Sequence, residues 1–311
     1  MEPGGLALED VEAAERRIRP HVLETPLVPV GDDGVLLKLE NLQRTGSFKL
    51  RGAVNAIEQL SHDELRHGIS TVSAGNHGLA VAWAAKRRGA RATVYVHEAA
   101  VERKVAAMRA IGATVVKHPV EKLQQFLRDK DARDGAYFLA PFADARIAAG
   151  QGTLGLEIRR QLPGVKTVLV PVGGAGLALG VSTALPGIQV FGVTAEKAPA
   201  VAHAWRTGSA EPVAATSIAD GLNAPLADLA TVHALKQRLA GLLTVTDDQI
   251  RGAMRRLLLE ARTVAEGAGA AAFAALDGTM ERPTVVVVSG GNVDPSLLAA
   301  VLHATAAAQT P

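Results

Sequence analysis

The sequence predicts an α/β protein built from open, mostly parallel sheets flanked by helices. Three observations carry that expectation. Apolar strand-like runs alternate with helical patterns almost from end to end of the 311 residues, the βαβα rhythm of sheets covered by helices. The runs are continuous in Val, Ile and Leu rather than alternating, which marks strands buried on both faces. Three strand ends, "SAGNHG" (73–78), "GGAG" (173–176) and "SGGN" (289–292), share a small-residue turn that opens a helix.

Taken in order, "VLLKLE" (35–40) precedes a helix from about Ser47, and "GISTVSAG" (68–75) precedes "NHGLAVAWAAKRRG" (76–89). "ATVYVHE" (92–98) leads into the helix "VERKVAAMRAIG" (101–112), and "ATVVKHP" (113–119) into a helix around "VEKLQQFLRDK" (120–130). Further on, "VKTVLVPV" (165–172) runs into "GGAGLALGVSTAL" (173–185), and "IQVFGVTAE" (188–196) into "KAPAVAHAWRTG" (197–208). Near the end, "RPTVVVVSGGN" (282–292) leads into "DPSLLAAVLHATA" (294–306). The segment 205–226 lacks periodicity and reads as an irregular surface excursion. No internal repeat or low-complexity linker interrupts the series.

Composition narrows the function classes. The chain is 48% hydrophobic and 21% charged, enough apolar content for a sizeable core. Lys plus Arg number 33 against 31 for Asp plus Glu, and aromatics are 3%. A nucleic-acid groove needs a basic stripe and stacking aromatics, so that partner is not expected. There is no cysteine, which removes disulfides, thiolate metal sites and a cysteine nucleophile. The amphipathic N-terminus has no apolar signal core, and no run approaches the roughly 18 apolar residues of a membrane span. The expectation is a cytoplasmic, non-membrane protein.

Ligands of parallel α/β sheets gather outside the carboxyl ends of strands. Glycine lets backbone approach a ligand, and helix N-termini offer free N–H groups to anions. Three such turns converging on one cleft would form a cradle for a phosphorylated ligand. The rival is a dinucleotide site, because "VPVGGAGLALG" contains Gly174-x-Gly176. Gly180, however, stands one residue later than that fingerprint requires, and the motif is mid-chain. "HDELRH" (62–67) spaces two histidines off one helical face and is not a zinc motif.

Lys49, in "GSFKLRGA" (46–53), lies between Phe48 and Leu50. An ordinary lysine has a pKa of about 10.4 and is a poor nucleophile. Burial disfavours the ammonium and makes an amine available for Schiff-base chemistry. A buried lysine beside a phosphate cradle suits a carbonyl cofactor bearing a phosphate, and pyridoxal phosphate is one. On position alone, the preferred reading of Lys49 is a helix lysine reaching solvent along its stem. His77 on position alone reads as a packed turn histidine.

"LKLENLQRTGSFKLRGAVNAI" (37–57) resembles the lysine motif of the serine/threonine dehydratase family, fold-type II pyridoxal-phosphate enzymes that include serine racemase. "SAGNHG", "PFADARIAAGQGTLGLEI" (141–158), "PVGGAGL" (171–177), "IADGL" (218–222), "EGAGAAAFAAL" (266–276) and "VVSGGNVD" (287–294) follow in the family's order. The resemblance implies two domains, each an open, mostly parallel sheet flanked by helices. A large cofactor-binding domain would comprise 1–67 and 145–311, and a small, mobile, substrate-closing domain 68–144. It implies that Lys49 carries pyridoxal phosphate as a Schiff base and then removes the substrate Cα proton. Phe48 would pack against the ring and Asn76 would hydrogen bond its hydroxyl. Ser73, Ala74, Gly75, Asn76 and His77 would surround the substrate carboxylate. Gly173, Gly174, Ala175, Gly176 and Leu177 would wrap the phosphate, Ser289 would meet the pyridine nitrogen, and Glu266 would lie on the substrate side. A serine hydroxyl cannot hold the ring protonated as a carboxylate would, which favours expulsion of a β-substituent. The implied activity is an ammonia-lyase dehydrating L-threonine or L-serine to a 2-keto acid and ammonia, in a homodimer. Same-fold alternatives are 3-hydroxyaspartate or aryl-serine as substrate, or a racemase; a non-catalytic cofactor-binding sensor is the alternative of another class.

Departures from the family pattern sharpen these expectations. Ala175 replaces a customary glycine, tolerable at an ordinary φ and forbidden at a positive one. Leu79 stands where glutamine is common and Ala143 where aspartate is common, both bearing on the substrate pocket. Ala74 replaces the serine that racemases use on the opposite face of Cα, so racemisation should be weak. Thr194 and Ala200 take the places read as those of the metal-binding acids, so no activating divalent cation is expected there, with Glu196 nearby as the one acid. After Asp294 only a short helix and tail remain, which leaves no room for an amino-acid-sensing regulatory domain.

Overall fold

A computed structural model describes residues 5–128 and 135–303 of the chain. Positions 129–130 and 304–306, the ends of two expected helices, lie outside the described residues. The chain opens with α1 (Leu8–Ile18), β1 (Leu27–Val30), β2 (Val35–Leu39), α2 (Lys49–Ile57) and α3 (His62–His67). It continues through β3 (Ile69–Val72), α4 (Asn76–Arg87), β4 (Ala92–His97), α5 (Glu102–Ile111), β5 (Thr114–His118), α6 (Val120–Arg128) and β6 (Tyr137–Phe138). Next come α7 (Ala145–Gln161), β7 (Thr167–Pro171), α8 (Gly176–Ala184), β8 (Gln189–Ala195), α9 (Ala200–Thr207), α10 (Leu229–Arg238) and β9 (Gly241–Val245). The described chain ends with α11 (Asp247–Leu259), α12 (Gly267–Ala274), β10 (Thr284–Val288) and α13 (Pro295–His303).

The strands form two sheets. The larger has the order β1-β2-β10-β7-β8-β9 and the smaller β5-β4-β3-β6. Every pairing among the described residues is parallel except β1 with β2. The continuous apolar runs have a direct explanation in the packing. Val285 and Val287 of β10 enter one core beneath α7 and α8, while Val286 and Val288 enter another beneath α11 and α12. Val168 and Val170 of β7 join the first core and Leu169 the second. A strand sandwiched in this way has no solvent face, so its few polar residues, such as Thr167 and Thr284, are buried and hydrogen bonded. In the smaller sheet, Val94 and Val96 pack against α2 and α4, while Tyr95 packs against Leu123 and Phe126 on the other side.

Strands β1, β6 and β9 are absent from the runs expected in the sequence. All three sit at sheet edges, where a short run need not be apolar on both faces. Pro29 in β1 also has no N–H to give a ladder, which confines such a strand to an edge. The segment 205–226 is for the most part the irregular, exposed stretch expected, with two exceptions. Its first residues complete α9, and Ser217, Ala219 and Leu222 are buried. Ser217 and Ile218 are held by the buried Asp247 carboxylate, with Ser217 Oγ donating to it at 2.6 Å.

Candidate active site

The carboxyl ends of β3, β7 and β10 open onto one cavity of about 580 Å³ between the two sheets. Lys49 enters from the first turn of α2, with its Nζ 5.3 Å from the centroid of the Phe48 ring. The turn that delivers it is pinned to the end of β10: Phe48 N–H donates to the Ser289 carbonyl at 3.0 Å, and Ser47 bridges Gly290. The amine therefore faces the cavity and not the outer surface. Burial lowers its pKa to about 8, against the raising influence of the Glu266 carboxylate.

Glu266 lies opposite as the N-cap residue of α12, 4% exposed. Burial, reinforced by the negative charge of Asp220, lifts its pKa to about 7. Its Oε1 accepts from Asn76 Nδ2 at 2.5 Å, and Asn76 Oδ1 accepts from Asn292 Nδ2 at 2.7 Å. Asn76 is thus fixed through both ends of its amide. Ser289 is buried, and its hydroxyl lies 3.3 Å from the Ala268 carbonyl, to which it donates.

Two helix N-termini point into the same space. Gly75 is the N-cap residue of α4, and Ser73, Ala74, Gly75, Asn76 and His77 all line the wall there. The His77 ring is buried, with Nε2 3.4 Å from the Leu139 carbonyl. Burial, then the charge of Lys49, lowers its pKa to about 3, so the ring is neutral and any anion here meets backbone N–H groups. The second terminus is that of α8, preceded by Gly173, Gly174 and Ala175, with Gly176 and Leu177 in its first turn. A Cβ on Gly173 would stand 2.8 Å from the Gly221 carbonyl oxygen, and one on Gly174 2.8 Å from Phe142 Cβ. At Gly176 nothing lies within 4 Å of that position, leaving the backbone open to a ligand. Donors at a bare helix N-terminus, a depressed lysine amine and an uncharged buried hydroxyl together suit pyridoxal phosphate, with the phosphate at Gly173–Leu177 and the aldehyde at Lys49.

Ala175 corrects one expectation. Its φ is +66°, the value said to forbid a side chain. The left-handed conformation costs an L-residue roughly 1–2 kcal/mol, and the buried methyl offsets part of that by packing in the core beneath α8. Ala143, also on the cavity wall, has φ +57°. Sequence reasoning missed several wall residues: His97 and Lys104 on the small-sheet side, Phe142 and Gln151 around the start of α7, and the stretch from Asp220 to Pro225. Only "IADGL" and "PFADAR" carried a signal, because the others stand in loops and helix starts without periodicity. Thr194 is buried and bonded to the Leu243 carbonyl, and Glu196 is exposed. Among the described residues no group of three or more His, Asp or Glu is placed to hold a metal ion, and no helix is long and apolar enough to cross a membrane.

Comparison with known proteins adds a family. Residues 18–291 match the family model described as pyridoxal-phosphate dependent enzyme. The chain is 37% identical over 315 aligned residues to an L-threonine ammonia-lyase of Thermotoga maritima, covering 96% of this chain and 78% of that protein. Among solved structures, a threonine deaminase from T.th. superposes with a TM-score of 0.86 at 35% identity, covering 93% of this chain and 99% of that one. Serine racemase from Dictyostelium discoideum superposes with a TM-score of 0.85 at 32% identity, over 93% and 99% of the two chains.

Proposed function

The chain belongs to the family of pyridoxal-phosphate dependent enzymes, and from that premise we propose that it is an ammonia-lyase dehydrating L-threonine or L-serine. One observation carries the reading: a lysine amine lowered to about pKa 8 meets two helix N-termini in a single cavity. The threonine ammonia-lyase and threonine deaminase it is similar to support the choice of substrate.

The cofactor, when bound, supplies the electron sink that acidifies the substrate Cα–H and lets a β-substituent depart. The chain's own residues do the rest. Backbone N–H groups at the start of α4 orient the substrate carboxylate, since the wall there offers no charged side chain of its own. Lys49 Nζ takes the Cα proton, which its lowered pKa allows near neutrality. Ser289 would meet the pyridine nitrogen of the bound cofactor with a hydroxyl and no charge, an environment that would leave the ring unprotonated and favour loss of the β-hydroxyl as water. Hydrolysis of the released enamine then yields the 2-keto acid and ammonia. Asn76, tied to Glu266 and Asn292, draws the small sheet onto the large one and keeps bulk water out. Ala74 has no acid or base to deliver a proton to the opposite face, so the likeness to serine racemase is read as one of fold.

The test is 2-keto acid release from L-threonine and L-serine by the purified holoenzyme. Lys49→Ala should lower turnover by at least about 10³-fold with an unchanged circular-dichroism spectrum. Undiminished turnover in that variant, or no keto acid from either amino acid with the wild type, overturns the reading.

We further propose that 1–67 and 145–311 form the cofactor-binding part and 68–144 a lid. Consecutive strands β3 to β6 making their own sheet supports this, and hydrogen exchange in 68–144 that slows on adding L-serine is the check. A cytoplasmic homodimer completes the proposal. Exposed Leu42 and Val264, brought close by the Asn41 Nδ2 bond to the Val264 carbonyl, support a partner surface; light scattering of the purified protein gives the mass.

A further inference from the structure

We propose that Asp220 masks Lys104 at the mouth of the cleft and so restricts the enzyme to amino acids with uncharged side chains. The inference rests on the β-hydroxy amino acid reading above and names the residue pair that sets its specificity.

Among the described residues the cavity wall carries two ammonium groups, Lys49 and Lys104, and no guanidinium. Lys49 is committed to the cofactor, and the His77 ring is neutral. A second carboxylate on the substrate therefore has one lysine to meet, Lys104. That lysine enters from the first turn of α5, and its side chain is only 16% exposed. Its position is fixed by its neighbour: Arg103 reaches across the cleft and donates to the Val293 carbonyl at 2.8 Å. From there the Lys104 ammonium is paired with the Asp220 carboxylate, which projects from the turn Asp220–Leu222 on the opposite side of the mouth. Both partners line the cavity. The charges of both also bear on Glu266, as does that of Lys49, so the pair lies within electrostatic range of the reacting centre. The same wall carries the apolar Val72, Val101, Leu222 and Pro225 together with the polar His97 and Asn223, neither of which bears a fixed cation.

The pairing has two consequences for selectivity. A distal carboxylate entering the cavity meets the Asp220 charge and must displace it to reach Lys104, and like charges across a desolvated contact discriminate strongly. A methyl or hydrogen, as in threonine or serine, needs neither partner and leaves the pair closed over the bound ligand. Asp220 itself is half exposed, with 53% of its side chain accessible, so removing its charge need not disturb the core.

The experiment compares L-threonine with L-threo-3-hydroxyaspartate on the holoenzyme, by keto acid release and by titration of the cofactor absorbance, which needs no turnover. Asp220→Asn should tighten 3-hydroxyaspartate binding on the order of tenfold, the effect of one new charge-assisted hydrogen bond. Adding Lys104→Met to that variant should abolish the gain, an outcome that a purely structural role for Asp220 does not produce. Asp220→Ser gives a second unmasked form should Asp220→Asn fold poorly. Absence of a gain in both unmasked variants, or a gain that survives Lys104→Met, overturns the masking. A gain seen by titration when even the wild type releases no keto acid from threonine upholds the masking and overturns the proposed reaction.

Discussion

Lys49 and Glu266 depart from ordinary titration in opposite directions, each through burial in the same cavity and each with the other's charge as a counterweight. With a pKa near 8, about a tenth of the Lys49 amine is neutral at pH 7, against a few parts in ten thousand for an ordinary lysine. For Glu266 the consequence is a stability that depends on pH. Its ordinary value is 4.5 and its folded value about 7, so the folded state holds the proton more tightly. That contribution is fully present below pH 4.5 and is lost as pH rises to about 7. The size is on the order of 3 kcal/mol. Glu266→Gln, which cannot lose a proton, should therefore gain stability over wild type by roughly that amount between pH 4.5 and 8. Urea unfolding of the two cofactor-free proteins across that range is the measurement, and a difference independent of pH would contradict the assignment. The same residue shows why the site was only half legible in the sequence. The motif around Glu266 could be matched, but its link to Asn76 joins positions 190 apart, a separation no local pattern encodes.

At the scale of an element, α2 is anchored by charge on the side turned away from the cavity. Arg51, two residues after Lys49, is fully buried and grips Glu40 at 2.8 Å and Glu157 at 2.6 Å. Lys38 of β2 reaches the same Glu157 at 2.6 Å, and Thr25 Oγ1 donates to Glu40 at 2.6 Å. Two cations and two anions balance, and each is hydrogen bonded. Burial pushes Glu40 up, but the Arg51 guanidinium, joined by the Thr25 hydroxyl and the Lys38 charge, holds the carboxyl below its usual range. Removing one member leaves buried charge without a partner, which costs about 3–5 kcal/mol. Arg51→Met should accordingly lower the Tm by roughly 10 °C, read by a thermal melt at neutral pH; a shift of about 2 °C or less would show that α2 does not depend on the network. Periodicity could not reveal this. In "KLRGA" one charge serves the cavity and the next serves the core, and both look alike on the page. Helix packing rests on small residues: Gly180 of α8 lies against α7, where a Cβ would fall 2.2 Å from the Ala148 carbonyl oxygen.

Over the whole molecule, what could be read was what repeats. Strands buried on both faces announce themselves by continuous apolar runs, and the central strands of both sheets were found that way. The edge strands β1, β6 and β9, and the turn from Ser217 to Pro225 that forms one bank of the cleft, have no such signature because their burial depends on which distant segment covers them. The order of the larger sheet holds a consequence for how the chain is made. Strand β10 lies between β2 and β7 and pairs with both, although it comes 245 residues after β2 ends and 113 after β7 ends (284 − 39 and 284 − 171). The four-stranded sheet is complete once residue 138 has emerged from the ribosome. The six-stranded sheet cannot close until residue 288 has followed. Domains fold as units during synthesis and non-local pairing is slow. The small sheet is then free to form early on the nascent chain. The lysine, the glycine turn of α8 and their shared cleft come together only once β10 is out, so a product stalled before it presents no assembled site to a cofactor.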